Sequence, residues 1–235
     1  MKDREIDEIL SKAAQGPEGV DPKLLAQVAK SIESTLRAVR PLPPAGLMTW
    51  GLVFVCAAVA LAGAAHAGFF GVEKLSTLER ALIFPALGIF IWFASATWVS
   101  EMIPGSKHLV SPGTLLGVGS LALICVFAML FHDYHTERFV HSGLVCLAVG
   151  LLHAIPTGLV GWFVLRRGFA VDSVTAGLAA GTFAGLAGVV MLELHCANLQ
   201  AFHILLWHTA VVPVSGSAGA LIGRAIRFWP ILTLK

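Results

Sequence analysis

Six apolar runs, each close to the length of a bilayer crossing, constrain this chain more than anything else in it. A helix needs about 20 apolar residues to span the hydrocarbon core. Runs of that kind occur near 45–65, 81–99, 114–131, 142–165, 173–192 and 202–224. In lipid each backbone N–H and C=O must be satisfied within the segment, so such runs fold as helices. The fold class is therefore all-α: a polytopic membrane protein whose residues 45–225 form a six-transmembrane-helix bundle, preceded by a short N-terminal arm. Residues are 57% hydrophobic and only 13% charged, about half the charged share of an ordinary soluble domain. The formal charge of +2 is too small to suggest direct nucleic-acid binding. The lipid bilayer is the first partner the sequence implies.

The spans carry almost no charge, so no acid–base chain of the kind found in proton pumps is expected. Pro85, Pro156 and Pro213 fall inside them, where neighbouring helices can satisfy the freed carbonyls. In the fifth run Gly177, Gly181 and Gly185 repeat a G-x-x-x-G spacing, which lets helix backbones approach closely. That spacing suits either internal packing or a dimer, and internal packing is the expectation.

Residues 1–44 are polar and contain no signal-peptide pattern. They hold two short amphipathic helices. Ile6, Ile9 and Leu10 lie on one face of the first, which Gly16-Pro17 ends. Leu24, Leu25, Val28, Ile32 and Leu36 form the stripe of the second, after Asp21-Pro22. Pro41-Leu42-Pro43-Pro44 is a stiff spacer before the membrane. Helices this short cannot bury a core between them, so each stripe needs a partner. Lipid-seeking helices carry basic polar faces, whereas the first helix carries Asp3, Glu5, Asp7 and Glu8. A protein partner with a basic surface fits better than an anionic membrane.

Lys and Arg set the orientation. With the N-terminus inside, the inner flanks hold eight, Arg37, Arg40, Lys107, Arg166, Arg167, Arg224, Arg227 and Lys235, and the outer loops three, Lys74, Arg80 and Arg138. Both termini, including a short tail at 226–235, are expected in the cytoplasm. His66, His132, His135, His141, His195 and His203 then collect at the opposite face, with His208 about a turn and a half deeper. Of the cysteines, Cys196 sits in the turn Glu193-Leu194-His195-Cys196 and Cys146 about one helical turn from that face. Cys56 and Cys125 read as apolar packing residues.

Thiols and imidazoles together suit zinc, copper and cadmium, and thiols are also what oxidants attack first. Cys146 and Cys196 can meet if their spans pack side by side, which a disulfide requires within about 7 Å between Cα atoms. Glu193, His132, His135, His195, His203 and His208 are the other possible ligands of a transient metal ion; no resident cofactor is expected. A transporter remains an alternative, although the spans lack paired broken helices. A haem protein is a weaker one, because His203 and His208 are five apart and so off one helical face, and His153 has no partner at its depth. Hydrolase and zincin motifs are absent, so the chain is not expected to be an enzyme.

Cys146-Leu147, Leu165-Arg166-Arg167-Gly168, the Gly/Ala-rich run, Leu194-His195-Cys196, and Phe202 with Trp207 resemble the negative regulator of sigma F family, bacterial inner-membrane anti-sigma factors with six spans. The likeness is good over about 142–225 and rests elsewhere on the number and placement of spans. It implies that the N-terminal arm sequesters a sigma factor of the extracytoplasmic-function type. It further implies that heavy metals or oxidants acting on Cys146 and Cys196 release that partner. His208 stands where the family more often has an aromatic residue.

Overall fold

A computed structural model of the chain describes residues 42–233 except 108, 137, 166, 167 and 169, together with positions 11, 23, 26, 27, 30 and 31. The arm stripes (Ile6, Ile9, Leu10, Leu24, Leu25, Val28, Ile32, Leu36) lie outside the described residues, as do Arg37, Arg40, His108, Arg166, Arg167 and Lys235. The chain divides into two units, Met1–Pro41 and Leu42–Lys235. The second carries the membrane spans.

Every regular element among the described residues of this second unit is a helix, and six are long and apolar enough to cross a membrane. Helix α1 is Ala45–Ala67, followed by the short α2, Phe70–Lys74. The next three are α3 at Thr77–Glu101, α4 at Pro112–Leu130 and α5 at Phe139–Leu165. The fifth span, α6, is Ser173–His195. The last helix, α7, starts as Ala201–His203, passes through a π turn at Ile204–His208 and continues as Thr209–Thr233.

The helix starts follow from local side-chain chemistry. Ser76 and Glu79 form a reciprocal capping box, Ser76 Oγ accepting from Glu79 N–H at 3.2 Å and Glu79 Oε2 from Ser76 N–H at 2.6 Å. Two of the orphan N–H groups at the helix start are met in this way. This cap starts α3 at Thr77, four residues before the apolar run that marks it in the sequence. Ser111 caps α4, with Pro112 at its first position, where a missing N–H costs nothing. Asp172 caps α6 through Val174 N–H at 2.9 Å.

Helix α6 is the axle of the bundle. It touches all five other spans, and 67% of its apolar window is buried against 22–44% for the rest. Its small residues make that possible, because the helices can close on it without side chains between. On one side it lies backbone to backbone on α7. A Cβ at Gly177 would run into Gly219 O, one at Gly181 into Ser215 O, and one at Gly185 would sit 2.9 Å from Val212 Cα. The reverse holds from α7, where Gly219 lies on Gly177 O and Gly223 on Ser173 O. The G-x-x-x-G run is therefore spent inside the bundle. On another side Gly188 rests on Gly150 O of α5. Large apolar side chains such as Phe54, Ile89, Leu152 and Phe163 point outward and stay exposed, as lipid-facing positions should.

Cys56 is fully buried, as a small core residue would be, but Cys125 is exposed on the outside of α4. The apolar run around it is apolar because it meets lipid, not core. His153 turns its Nδ1 to Val149 O of its own helix at 2.9 Å, and its ring fills the space over Gly63.

The α6–α7 seam should be the most sensitive surface in the molecule. Gly181→Val is expected to destabilise the purified protein by about 1–3 kcal/mol through overpacking. Gly51→Val, at a position with nothing within 4 Å, should leave it nearly unchanged. Thermal unfolding of both variants in detergent checks this, and equal losses would contradict the seam.

Candidate functional site

At one end of the bundle three connections are knitted together. His195 Nδ1 lies 3.0 Å from Gly68 O, Lys74 Nζ donates to Ala197 O at 3.1 Å, and Ala201 N–H donates to Asp133 O at 2.6 Å. The α1–α3, α4–α5 and α6–α7 connections therefore share this end. Helix α2 is pressed onto the end of α6. A Cβ at Gly71 would lie 2.7 Å from Glu193 O and 2.8 Å from Cys196 O. Only glycine lets the backbone come so near. Phe70 stacks obliquely on His195, with centroids 5.9 Å apart.

Beneath this clasp is a compact polar cluster. Cys146 of α5 and Cys196 face each other with Sγ–Sγ 3.5 Å. His203 Nε2 is 3.6 Å from Cys196 Sγ. His208 completes the group, and the four ligand atoms all lie within 4.8 Å of one another. Behind His208, Glu193 Oε1 is 2.7 Å from its Nδ1, both side chains being only 1% exposed. That contact fixes the imidazole and leaves His208 Nε2 buried without a hydrogen-bond partner.

The cluster depends on an irregularity in α7. In an ordinary 3.6-residue helix, positions five apart point about 140° away from each other. The π turn at Ile204–His208, with Thr209 N–H reaching Ile204 O, adds a residue to that turn. It brings the rings of His203 and His208 to 5.2 Å, which corrects the expectation that they diverge. Thr209 Oγ1 donates to Leu205 O at the end of the turn. Single-turn π bulges are frequent at functional sites. Pro213, one turn further on, is the sequence's only hint of a disturbed ladder.

Glu193 also differs from the sequence expectation. Helix α6 runs on to His195, so Glu193 is a buried helical residue and not part of the turn, and the polar connection begins at Cys196. The described spans thus hold one buried acid–imidazole pair at their edge. The remaining candidates are placed elsewhere. His195 is engaged with Gly68 O. His135 pairs with Asp133 at 2.5 Å on an exposed surface, and that hydrogen bond holds the Asp133 carboxyl below its usual range. His132 is exposed in the same connection, outside the cluster. Phe202 and Trp207 brace the site from outside, Phe202 against Tyr134 at 5.3 Å and Trp207 against Phe139 at 5.7 Å. The Trp207 indole also occupies the space a side chain at Gly143 would need.

Cys196 lies in the connection, outside both spans. Its thiol is held below the ordinary range, chiefly by the hydrogen bond it shares with Cys146. Burial opposes the shift and the imidazoles of His203 and His208 assist it. A depressed pKa makes a sulfur both a better metal ligand and a readier target for oxidants. Two sulfurs, two imidazole nitrogens and a carboxylate behind one of them can thus ligate a soft or borderline ion or form a disulfide. The 5.2 Å between the two rings leaves no room for a planar macrocycle between them.

No curated protein and no solved structure matches this chain. A family model described as negative regulator of sigma F matches residues 34–229, a stretch that contains all six spans and every residue of the cluster. With that match the chain belongs to the negative regulator of sigma F family, and its role is negative regulation of a sigma factor.

Proposed function

We propose that this chain is a bacterial inner-membrane anti-sigma factor with both termini in the cytoplasm. In this reading its residues 1–44 sequester a sigma factor of the extracytoplasmic-function type, and Cys146 with Cys196 sense heavy metal or oxidant on the opposite face. The observation that carries the sensor half is the 3.5 Å contact between the two thiols, residues fifty apart in sequence on different elements. The arm half rests on the two apolar stripes expected from the sequence and on the acidic residues Asp3, Glu5, Asp7 and Glu8 beside the first. The positive-inside bias supports the orientation.

Signal transfer follows the covalent and packing order of the chain. Modified thiols alter how α5 and α7 sit on the end of α6. Helix α2 rides on that end through Gly71, and α1 leads from α2 back to Pro44 and the arm. A signal shifts such an equilibrium only as far as it favours one of the two states, so the coupling needs the close contact at Gly71. Metal or redox changes at thiols that bias a two-state element are an established kind of switch.

Two measurements test the two halves. A tagged 1–44 segment and the full-length protein should each retain a sigma factor in a pull-down, and failure of both to bind any sigma factor removes the anti-sigma reading of the arm. Cys146→Ser and Cys196→Ser should each keep sigma binding while losing release on exposure to cadmium or diamide, read by a reporter of the sigma factor's promoter. Normal induction in both variants would make the thiols structural.

A further inference from the structure

The cluster offers more than two thiols. A tetrahedral zinc ion, with Zn–S near 2.3 Å and Zn–N near 2.0–2.1 Å, holds its ligand atoms about 3.3–3.8 Å apart. The sulfur pair at 3.5 Å and the sulfur–imidazole pair at 3.6 Å already lie in that interval. The remaining pairs lie within 4.8 Å, so a small inward adjustment of the four side chains and the elements that carry them closes the shell. By contrast a disulfide needs the sulfurs at about 2.0 Å, a larger approach than any ligand contact requires.

The imidazoles are also prepared for ligation. Glu193 accepts a hydrogen bond from His208 Nδ1, an arrangement that in the neutral ring leaves the Nε2 lone pair for the cluster, and that nitrogen is buried with no other partner. A carboxylate behind a ligating histidine fixes its tautomer and raises its basicity. An unpaired buried nitrogen costs free energy unless something fills its place. His203 turns Nε2 to Cys196 and has no such support, its Nδ1 being buried and unpaired.

We propose that Cys146, Cys196, His203 and His208 form one closed four-ligand site for a divalent d10 cation of the zinc and cadmium class, with Glu193 positioning His208. The proposal deepens the sensor reading and depends on it for its biological meaning. Charge selects the valence. Each thiol releases its proton to solvent as its sulfur bonds the ion, and no electron changes hands. Around a divalent ion the two thiolates and the Glu193 carboxylate leave a single net negative charge, whereas a monovalent ion leaves two where charge is expensive to bury. Cys196, His203 and His208 are each no more than 9% exposed, so little room remains for a water ligand, and a site without an open position binds rather than catalyses.

The test uses the full-length protein in detergent with reductant, titrated with cadmium alone. The thiolate-to-cadmium absorption should saturate at one ion per chain. Glu193→Gln should weaken the apparent Kd by about 10–100-fold, the cost of losing an outer partner. His208→Gln should weaken it further, and more than His203→Gln, with the absorption band retained in both. Silver, a monovalent soft ion, should bind the thiols equally well in wild type and in both histidine variants. X-ray absorption at the zinc edge of the wild-type protein, which needs no substitution, should find two sulfur and two nitrogen neighbours. Unchanged cadmium affinity in both histidine variants, or a zinc shell of two sulfurs with oxygens only, overturns the proposal. If instead cadmium fills the four-ligand shell while the sigma factor stays bound, the site stands and the sensor reading fails.

Discussion

The contact on which the rest of the structure depends is the backbone seam between α6 and α7. In lipid there is no hydrophobic force between helices, since the surrounding tails are as apolar as the side chains. Association must come from close van der Waals packing, and Gly177, Gly181 and Gly185 supply it by letting α7 approach to where carbonyls of one helix meet Cα atoms of the other. A seam in which backbone meets backbone at several glycines has little freedom to slide. It fixes the register of the two helices, and that register places His208 of α7 at the level of Glu193 of α6 with 2.7 Å between them. The polar cluster is therefore a consequence of the glycine spacing as much as of its own ligands.

Much of this was legible in the residues, and the parts that were not share a cause. Length and apolarity define the six spans because lipid permits little else. Their ends are less legible, because caps decide them. Thr77 begins α3 through the Ser76–Glu79 box, a polar signal outside the apolar run. The pairing of Cys146 with Cys196 was open in the sequence, since it depends on α5 packing beside the end of α6. The convergence of His203 with His208 was hidden altogether. Helical periodicity assumes one constant turn, and a single π turn swings residues five apart from opposite faces onto one. Glu193 was misplaced for a related reason: a charged residue near a span end suggests water, but the buried imidazole of His208 gives it a partner inside the protein. Cys125 shows the converse error, because apolar sequence does not distinguish lipid-facing from core positions in a membrane helix.

Helix α2 explains why the site is more than a local cluster. It is only five residues long and has no apolar periodicity to announce it. It is held by contact, through Gly71 on Glu193 O and Cys196 O, Phe70 on His195, and Lys74 on Ala197 O. These contacts all fall on the last residues of α6 or the connection after it. The chain that turns from α1 into α3 is thus attached to the same few residues that carry the cluster.

In the proposed sensor that attachment is what would link a chemical event at the cluster to the first span. The cluster draws on α5, on the end of α6 and on the π turn of α7, while α2 covers the same α6 end. Closing the sulfur pair from 3.5 Å to the about 2.0 Å of a disulfide, or tightening four ligands round an ion, draws α5 toward the α6–α7 connection. Close-packed interiors transmit strain instead of absorbing it, and at Gly177, Gly181 and Gly185 the seam is backbone against backbone. The irregular part of the assembly is the π turn, where the regular hydrogen-bond ladder is interrupted. Strain from the cluster therefore has two outlets, regularising the π turn or lifting α2 from the end of α6. In the proposed sensor only the second acts on α1, so the balance between them would set how much of a change at the thiols is passed to the first span.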